Sequence, residues 1–304
     1  MIQNIKSKIN QLKKDKNATI LVHNYQRPEI QDIGDIVGDS FALAKKARET
    51  EKDIIIFCGV DFMAESAKIL NPEKTVILPN LDAKCPMAAM VELESLMWLK
   101  QKHPDAAIVS YVNTTAEIKS VSDICVTSSN AINIIKKLKE KTIIFVPDTN
   151  LGKYVSKFIK DKEILIWPGI CPTHHQIKKE HIIKLKKIHP DAEILVHPEC
   201  NPDVIDLADY AYSTQGMINY AKISKSKEFI IGTEKELCYR LELNNPKKSF
   251  YPIYIAVCPN MKKITIQHVL NCLQTLKPIV ELSDEIIKNA SIPLERMIEF
   301  GRSD

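Results

Sequence analysis

Three cysteines, each followed by a proline, recur at almost constant spacing: Cys85-Pro86, Cys171-Pro172 and Cys258-Pro259 stand 86 and 87 residues apart. Each lies just past an apolar run that reads as a buried strand, namely Thr75-Val76-Ile77-Leu78, Ile164-Leu165-Ile166 and Tyr254-Ile255-Ala256-Val257. Breakers such as Trp167-Pro168-Gly169 mark the loop that follows. Thiols offered at strand carboxyl ends sit where open α/β sheets place their ligands. Gathered at one point, three thiolates suit a zinc ion or an iron-sulfur cluster. A structural zinc usually takes four ligands from closely spaced pairs, and this chain has no CxxC. Three ligands from distant loops suit one 4Fe-4S cluster per chain, with one iron left free of protein ligands to act as a Lewis acid on a substrate oxygen. Three small buried side chains with no metal are the remaining alternative.

Counting outward from the cysteines extends the repeat. His23 to Ser40, Tyr111 to Ser128 and His197 to Thr214 each span 17 residues, and so do Ser40 to Phe57, Ser128 to Phe145 and Thr214 to Ile231. An aspartate precedes each hydroxyl residue by five: Asp35, Asp123 and Asp209. The first-strand ends thus supply His23 and Tyr25, then Tyr111 and Asn113, then His197 and Glu199. Two residues apart on a strand end, His197 and Glu199 face the same way and can serve one bound molecule as acid and base. Ser40, Ser128 and the pair Ser213-Thr214 fall at expected helix starts, Ser40 as the expected N-cap, where free amides and the helix dipole favour anions. Taken singly, each histidine reads as a satisfied structural hydrogen bond and each hydroxyl as a cap. Their recurrence in threes points instead to a shared site for a small polyanion and to condensation or dehydration chemistry.

Such a site needs elements that bring the three sets together. Residues 3–16 show helical spacing; Ile20-Leu21-Val22 and Ile54-Ile55-Ile56-Phe57 read as strands, with a helix around residues 63–68 after them. The plan returns with Ile108-Val109-Ser110 and Ile143-Ile144-Phe145, and again with Ile194-Leu195-Val196 and Phe229-Ile230-Ile231. Strands alternating with helices imply parallel βαβ winding. The expected fold class is α/β, three homologous three-layer αβα domains around a pseudo-threefold axis, with the active site at the central interface. Expected boundaries are 1–86, joined by 259–304 folding back over the body, then 87–172 and 173–258. Residues 266–276 and 279–287 read as helices separated by Pro278.

Composition excludes several classes. The 304 residues are 45% hydrophobic and 26% charged, which fits a folded globular protein rather than a disordered or fibrous one. The net charge of +4 comes from 42 basic and 38 acidic residues without like-charged blocks, so no nucleic-acid partner is expected. No apolar run reaches membrane-helix length and the first residues do not resemble a signal peptide, so a cytoplasmic protein with no membrane partner is expected. Eight cysteines in that setting argue against disulfides; Cys58, Cys125, Cys200, Cys238 and Cys272 have no assigned role.

Motif by motif, the chain resembles the quinolinate synthase family of NAD biosynthesis. The stretches that carry the resemblance are His23-Asn24-Tyr25-Gln26, Gly38-Asp39-Ser40, Asn80-Leu81-Asp82-Ala83-Lys84-Cys85-Pro86-Met87-Ala88, Tyr111-Val112-Asn113-Thr114, Thr127-Ser128-Ser129-Asn130, Trp167-Pro168-Gly169-Ile170-Cys171-Pro172-Thr173-His174, His197-Pro198-Glu199-Cys200, Ser213-Thr214-Gln215-Gly216-Met217 and Cys258-Pro259-Asn260-Met261-Lys262. The resemblance implies a 4Fe-4S cluster on Cys85, Cys171 and Cys258, and condensation of iminoaspartate with dihydroxyacetone phosphate to quinolinate, with loss of phosphate and water. It further implies that His23, Ser40, Tyr111, Asn113, Ser128, His197, Ser213 and Thr214 hold the substrates' carboxylates, phosphate and hydroxyls. Tyr25 and Glu199, with His197 and Tyr111, would take part in catalysis. A transient contact with the enzyme that produces iminoaspartate is an open expectation. Some members carry a CxxCxxC at the third ligand; here Pro252 and Ile255 stand in its first two places. Two alternatives are a 4Fe-4S hydro-lyase acting on a hydroxy acid and a non-catalytic iron-sulfur sensor.

Overall fold

Runs such as Ile54-Ile55-Ile56-Phe57 are buried along their whole length, as strands of a parallel sheet covered on both faces must be. The computed structural model describes residues 2–303, Ile2 by its backbone alone. Met1 and Asp304, where the expected first domain begins and its returning segment ends, lie outside the described residues. The first sheet contains β1 (Ala18–His23), β2 (Ile36–Gly38), β3 (Ile54–Cys58) and β4 (Thr75–Ile77) in the order β2-β1-β3-β4. The second, β5 (Ala107–Tyr111), β6 (Ile124–Val126), β7 (Thr142–Val146) and β8 (Glu163–Ile166), has the order β6-β5-β7-β8. The third, β9 (Glu193–Val196), β10 (Tyr210–Ala211), β11 (Glu228–Gly232) and β12 (Ser249–Pro252), repeats it as β10-β9-β11-β12. All pairings within these sheets are parallel. One α/β plan is therefore built three times.

The recurring aspartates are structural. Asp35, Asp123 and Asp209 each accept through Oδ2 from a first-strand amide, those of Ile20, Ile108 and Ile194, at 2.8 Å. Their own amides donate back to the carbonyls of the same residues. Each aspartate thereby extends the pairing of first and second strand by one residue and satisfies groups the sheet would leave bare.

Three local expectations are corrected. Tyr254-Ile255-Ala256-Val257 is not a strand: β12 stops at Pro252, and Ala256 N–H turns back to the Ile253 carbonyl. Proline ends the ladder, and Tyr254 and Ile255 are exposed. Ser40 is not the N-cap of its helix Ser40–Glu49; Asp39 is, accepting from Ala42 N–H at 2.9 Å. Residues 279–287 do not form one helix. Ile279 pairs antiparallel with Ile77, and Val280 N–H donates to the Val76 carbonyl at 2.8 Å, covering the edge of β4. The helix begins only at Asp284, behind the Ser283 cap, and runs to Phe300.

Helix Ile266–Thr275 packs on the first helix, Ile2–Asp15, while helix Asp284–Phe300 packs on Asp61–Leu70 of the first repeat and on Ala116–Ser120 and β6 of the second. Among the described residues no helix is long and apolar enough to cross a membrane.

Candidate active site

Because all the sheets are parallel and similarly wound, the first-strand ends and the loops after each fourth strand converge on one cavity. The first repeat lines it with His23, Tyr25, Ser40 and Cys85, the second with Tyr111, Asn113, Ser128 and Cys171, the third with His197, Glu199, Thr214 and Cys258. Ser213 alone of the singled-out residues is off the wall: its hydroxyl caps helix Thr214–Ile223, accepting from Gly216 N–H at 3.0 Å. Ser128 caps nothing, since the helix Ala131–Lys137 starts behind Asn130.

Under each cysteine lies a carboxylate. The amide of Cys85 donates to Asp61 Oδ1 at 2.9 Å, that of Cys171 to Asp148 Oδ2 at 3.1 Å, and that of Cys258 to Glu234 Oε1 at 3.3 Å. Each carboxylate stands just beyond the third strand of its repeat and fastens the cysteine loop to it. In the second repeat Gly169 lets the loop close further: its amide reaches the Pro147 carbonyl at 3.1 Å and its carbonyl receives Thr149 N–H at 2.7 Å. A Cβ there would lie 2.4 Å from the Pro147 oxygen, so only glycine fits.

Glu199 is the hub of the polar wall. Tyr111 donates to its Oε1 at 2.5 Å, and His174 Nδ1 lies 2.7 Å from its Oε2. His174 Nε2 then meets Thr233 Oγ1 at 2.8 Å, and Thr233 meets the Tyr25 hydroxyl at 2.6 Å. With Nδ1–H donating to Glu199, one direction runs through the chain: Tyr25 to Thr233 to His174 to Glu199. Burial would push the Glu199 carboxyl up, but the His174 and His197 rings and the hydrogen bonds from His174 and Tyr111 outweigh it and hold the carboxyl well below the usual range. Burial first, then the Glu199 charge, raises the phenols of Tyr25 and Tyr111 well above normal, so both keep their protons.

His23 and His197 share a local device. Nδ1 of each accepts the amide two residues on, from Tyr25 at 3.2 Å and from Glu199 at 3.3 Å. The proton of the neutral ring must therefore sit on Nε2. Burial lowers both to about 3, which keeps them neutral donors. Asn113 Oδ1 is buried with no hydrogen-bond partner among the described residues.

Burial raises the cysteine thiols, Cys85 to about 12 and Cys171 and Cys258 likewise upward. Three half-buried thiols facing one cavity are a donor set for a thiophilic metal, whose positive charge would make their thiolates stable. A second group, Cys171, His174 and Glu199, has its ligand atoms within 4.8 Å of one another. Hydrogen bonds already account for that closeness, since His174 Nδ1 lies 3.2 Å from Cys171 Sγ as well as beside Glu199.

A family model described as Quinolinate synthetase A protein matches residues 7–299. The chain belongs to this family. It is similar to the quinolinate synthase of Thermodesulfovibrio yellowstonii, 51% identical over 299 residues that cover 98% of this chain and 99% of the other. The quinolinate synthase of Caldicellulosiruptor saccharolyticus is 48% identical over 301 residues, covering 99% of each chain, and that of Geobacter metallireducens 49% over 299 residues, covering 98% of each. Likeness at this level over the whole chain makes it an enzyme of the quinolinate synthase type.

Within this quinolinate synthase scaffold, five residues escaped the residue count. His174 stands three residues past Cys171, where the other repeats have Ala88 and Met261, so no period announced it. Thr233 carries the link between Tyr25 and His174. The carboxylates Asp61, Asp148 and Glu234 precede their cysteines by 24, 23 and 24 residues, a spacing that could have found them had Asp and Glu been counted as equivalent.

Proposed function

We propose that this member of the family condenses iminoaspartate with dihydroxyacetone phosphate to form quinolinate, releasing phosphate and water, with Cys85, Cys171 and Cys258 holding a 4Fe-4S cluster. The observation that carries the reading is the meeting of three cysteine loops, one per repeat, in the cavity where Glu199 is held ionised between Tyr111 and His174. The donor set fits the cluster. Sulfurs around one tetrahedral zinc, at bonds of about 2.3 Å, would lie about 3.8 Å apart. Among the described residues the trio whose ligand atoms come within 4.8 Å of one another is Cys171, His174 and Glu199, not the three cysteines, and a wider cysteine spread suits a larger cluster. When bound, the cluster supplies an open iron as Lewis acid for a substrate oxygen.

The chain's own residues account for the rest. Helix starts at Ser40 and Thr214, with Ser128 on the second repeat's side, offer amides and hydroxyls to carboxylate and phosphate oxygens. His23 and His197 donate from Nε2 without adding charge. Asn113 Oδ1 accepts from a substrate N–H or hydroxyl. Ionised Glu199 can take a proton from the substrate, and the phenols of Tyr25 and Tyr111 can give one to a departing hydroxyl. Iminoaspartate reaching this site directly from the enzyme that makes it is part of the proposal.

The test is product formation by protein purified without oxygen and given both substrates. Quinolinate is expected from wild type, and Cys171→Ala is expected to lose iron and sulfide together with turnover. Loaded wild-type protein that makes no quinolinate, or that dehydrates a hydroxy acid instead, overturns the proposal.

A further inference from the structure

Among the described residues the cavity wall carries three histidines, His23, His174 and His197, and two carboxylates, Asp39 and Glu199, but no lysine or arginine. A substrate bearing phosphate and carboxylates, as proposed above, would meet a wall short of positive charge. The segment after helix Asp284–Phe300 brings one to the rim. Arg302 Nη1 donates to Asp39 Oδ2 at 2.8 Å, its Nη2 donates to Ser213 Oγ at 3.0 Å, and its guanidinium stands 5.7 Å from the Phe41 ring centroid. Asn130 Nδ2 holds the preceding residue, donating to the Gly301 carbonyl at 3.0 Å. Two consecutive residues thus touch the helix start of every repeat: Asp39 in the first, Asn130 in the second and Ser213 in the third.

Asp39 is what makes the arginine matter. Its Oδ1 caps helix Ser40–Glu49, which leaves a full negative charge at the helix end that should attract an anion. The side chains of Asp39 and Arg302 are only 11% and 21% exposed, so water and salt do little to mask that charge.

We infer that Arg302 is a positioning residue for the phosphate-bearing substrate: by neutralising Asp39 it keeps the helix start at Ser40 attractive to a dianion, and through Ser213 it fixes the facing helix start. The inference rests on the proposed reaction and adds to it a source of positive charge. It is tested with oxygen-free, cluster-loaded protein by varying dihydroxyacetone phosphate at saturating iminoaspartate. Arg302→Ala is expected to raise KM for dihydroxyacetone phosphate about tenfold or more, given the usual cost of stranding one partner of a largely buried, hydrogen-bonded charge pair. Iron content and KM for iminoaspartate should stay at wild-type values. Asparagine caps helices as well as aspartate, so Asp39→Asn combined with Arg302→Ala should recover most of the lost affinity, which a purely structural strap would not allow. An unchanged KM in Arg302→Ala, or a double variant no better than the single one, overturns the inference while quinolinate formation by wild type stands. Wild type that forms no quinolinate removes the proposed reaction and this inference together.

Discussion

Glu199 has two hydrogen-bonded neighbours that keep it charged in a place where burial alone would neutralise it, an arrangement that suits the proton transfer proposed for it. Glu199→Gln preserves volume and removes the carboxylate proposed as the base. Turnover should fall by about 10² to 10⁴, the usual worth of a positioned acid or base, with iron and sulfide content unchanged; full turnover in this variant would remove Glu199 from the proton transfers. His23 and His197 give the protein an acid limit with a definite sign. Their folded values, about 3, lie below the ordinary 6.5, so between these the unfolded chain binds more protons and stability drains away as pH falls. For each histidine the slope approaches about 1.4 kcal/mol per pH unit. The thermal midpoint of cluster-free protein should therefore drop from pH 6.5 toward pH 4, and His197→Asn should drop less steeply; parallel curves would contradict this. The twelve singled-out residues on the wall were legible because each has counterparts one period away. His174 and Thr233 were not, because each acts in one repeat only.

Loops and helix ends are where short-range reading fails. The run Tyr254-Ile255-Ala256-Val257 has strand composition, but Pro252 closes the ladder before it, and a four-residue apolar run cannot by itself distinguish strand from turn. Residues 279–282 have helical spacing yet cover the β4 edge, a long-range demand that local pattern does not express. Ser40 reads as a cap because serine caps often, but the helix already begins there, and Asp39, one residue earlier, has the extended backbone of an N-cap and accepts from Ala42 N–H. The loop carrying Cys171 yields a prediction at this scale. Gly169→Ala would set a Cβ 2.4 Å from the Pro147 oxygen and push the loop off Asp148. The variant should lose about 1–3 kcal/mol of stability, as overpacked sites do, and bind substoichiometric iron although every cysteine remains. Full iron and sulfide in Gly169→Ala would mean that the close backbone approach does not set the position of Cys171.

Across the whole molecule, the cysteines belong to three different repeats, so the distances among their sulfurs are set by how the repeats pack rather than by any one of them. The triplication was legible from spacing alone. The bounds of the last helix were not: residues 279–287 read as a helix, whereas it runs from Asp284 to Phe300, after the third cysteine and outside the period. That helix buries Ala290, Leu294 and Met297 in the main core and leans on both the Cys85 repeat and the Cys171 repeat. Leu294→Ala should cost about 2–5 kcal/mol, the range for a buried leucine whose site cannot fully collapse. If the helix also holds the Cys85 and Cys171 repeats in register, the loss should appear at the proposed cluster as well. Ile182→Ala is the matched comparison, since Ile182 is buried in the separate core of the third repeat, away from the Asp284–Phe300 helix. Iron release on exposure to oxygen should be faster in Leu294→Ala than in Ile182→Ala at equal loss of thermal stability. Equal release rates would show that cluster retention follows global stability, and that the packing between repeats has no separate hold on the three sulfurs.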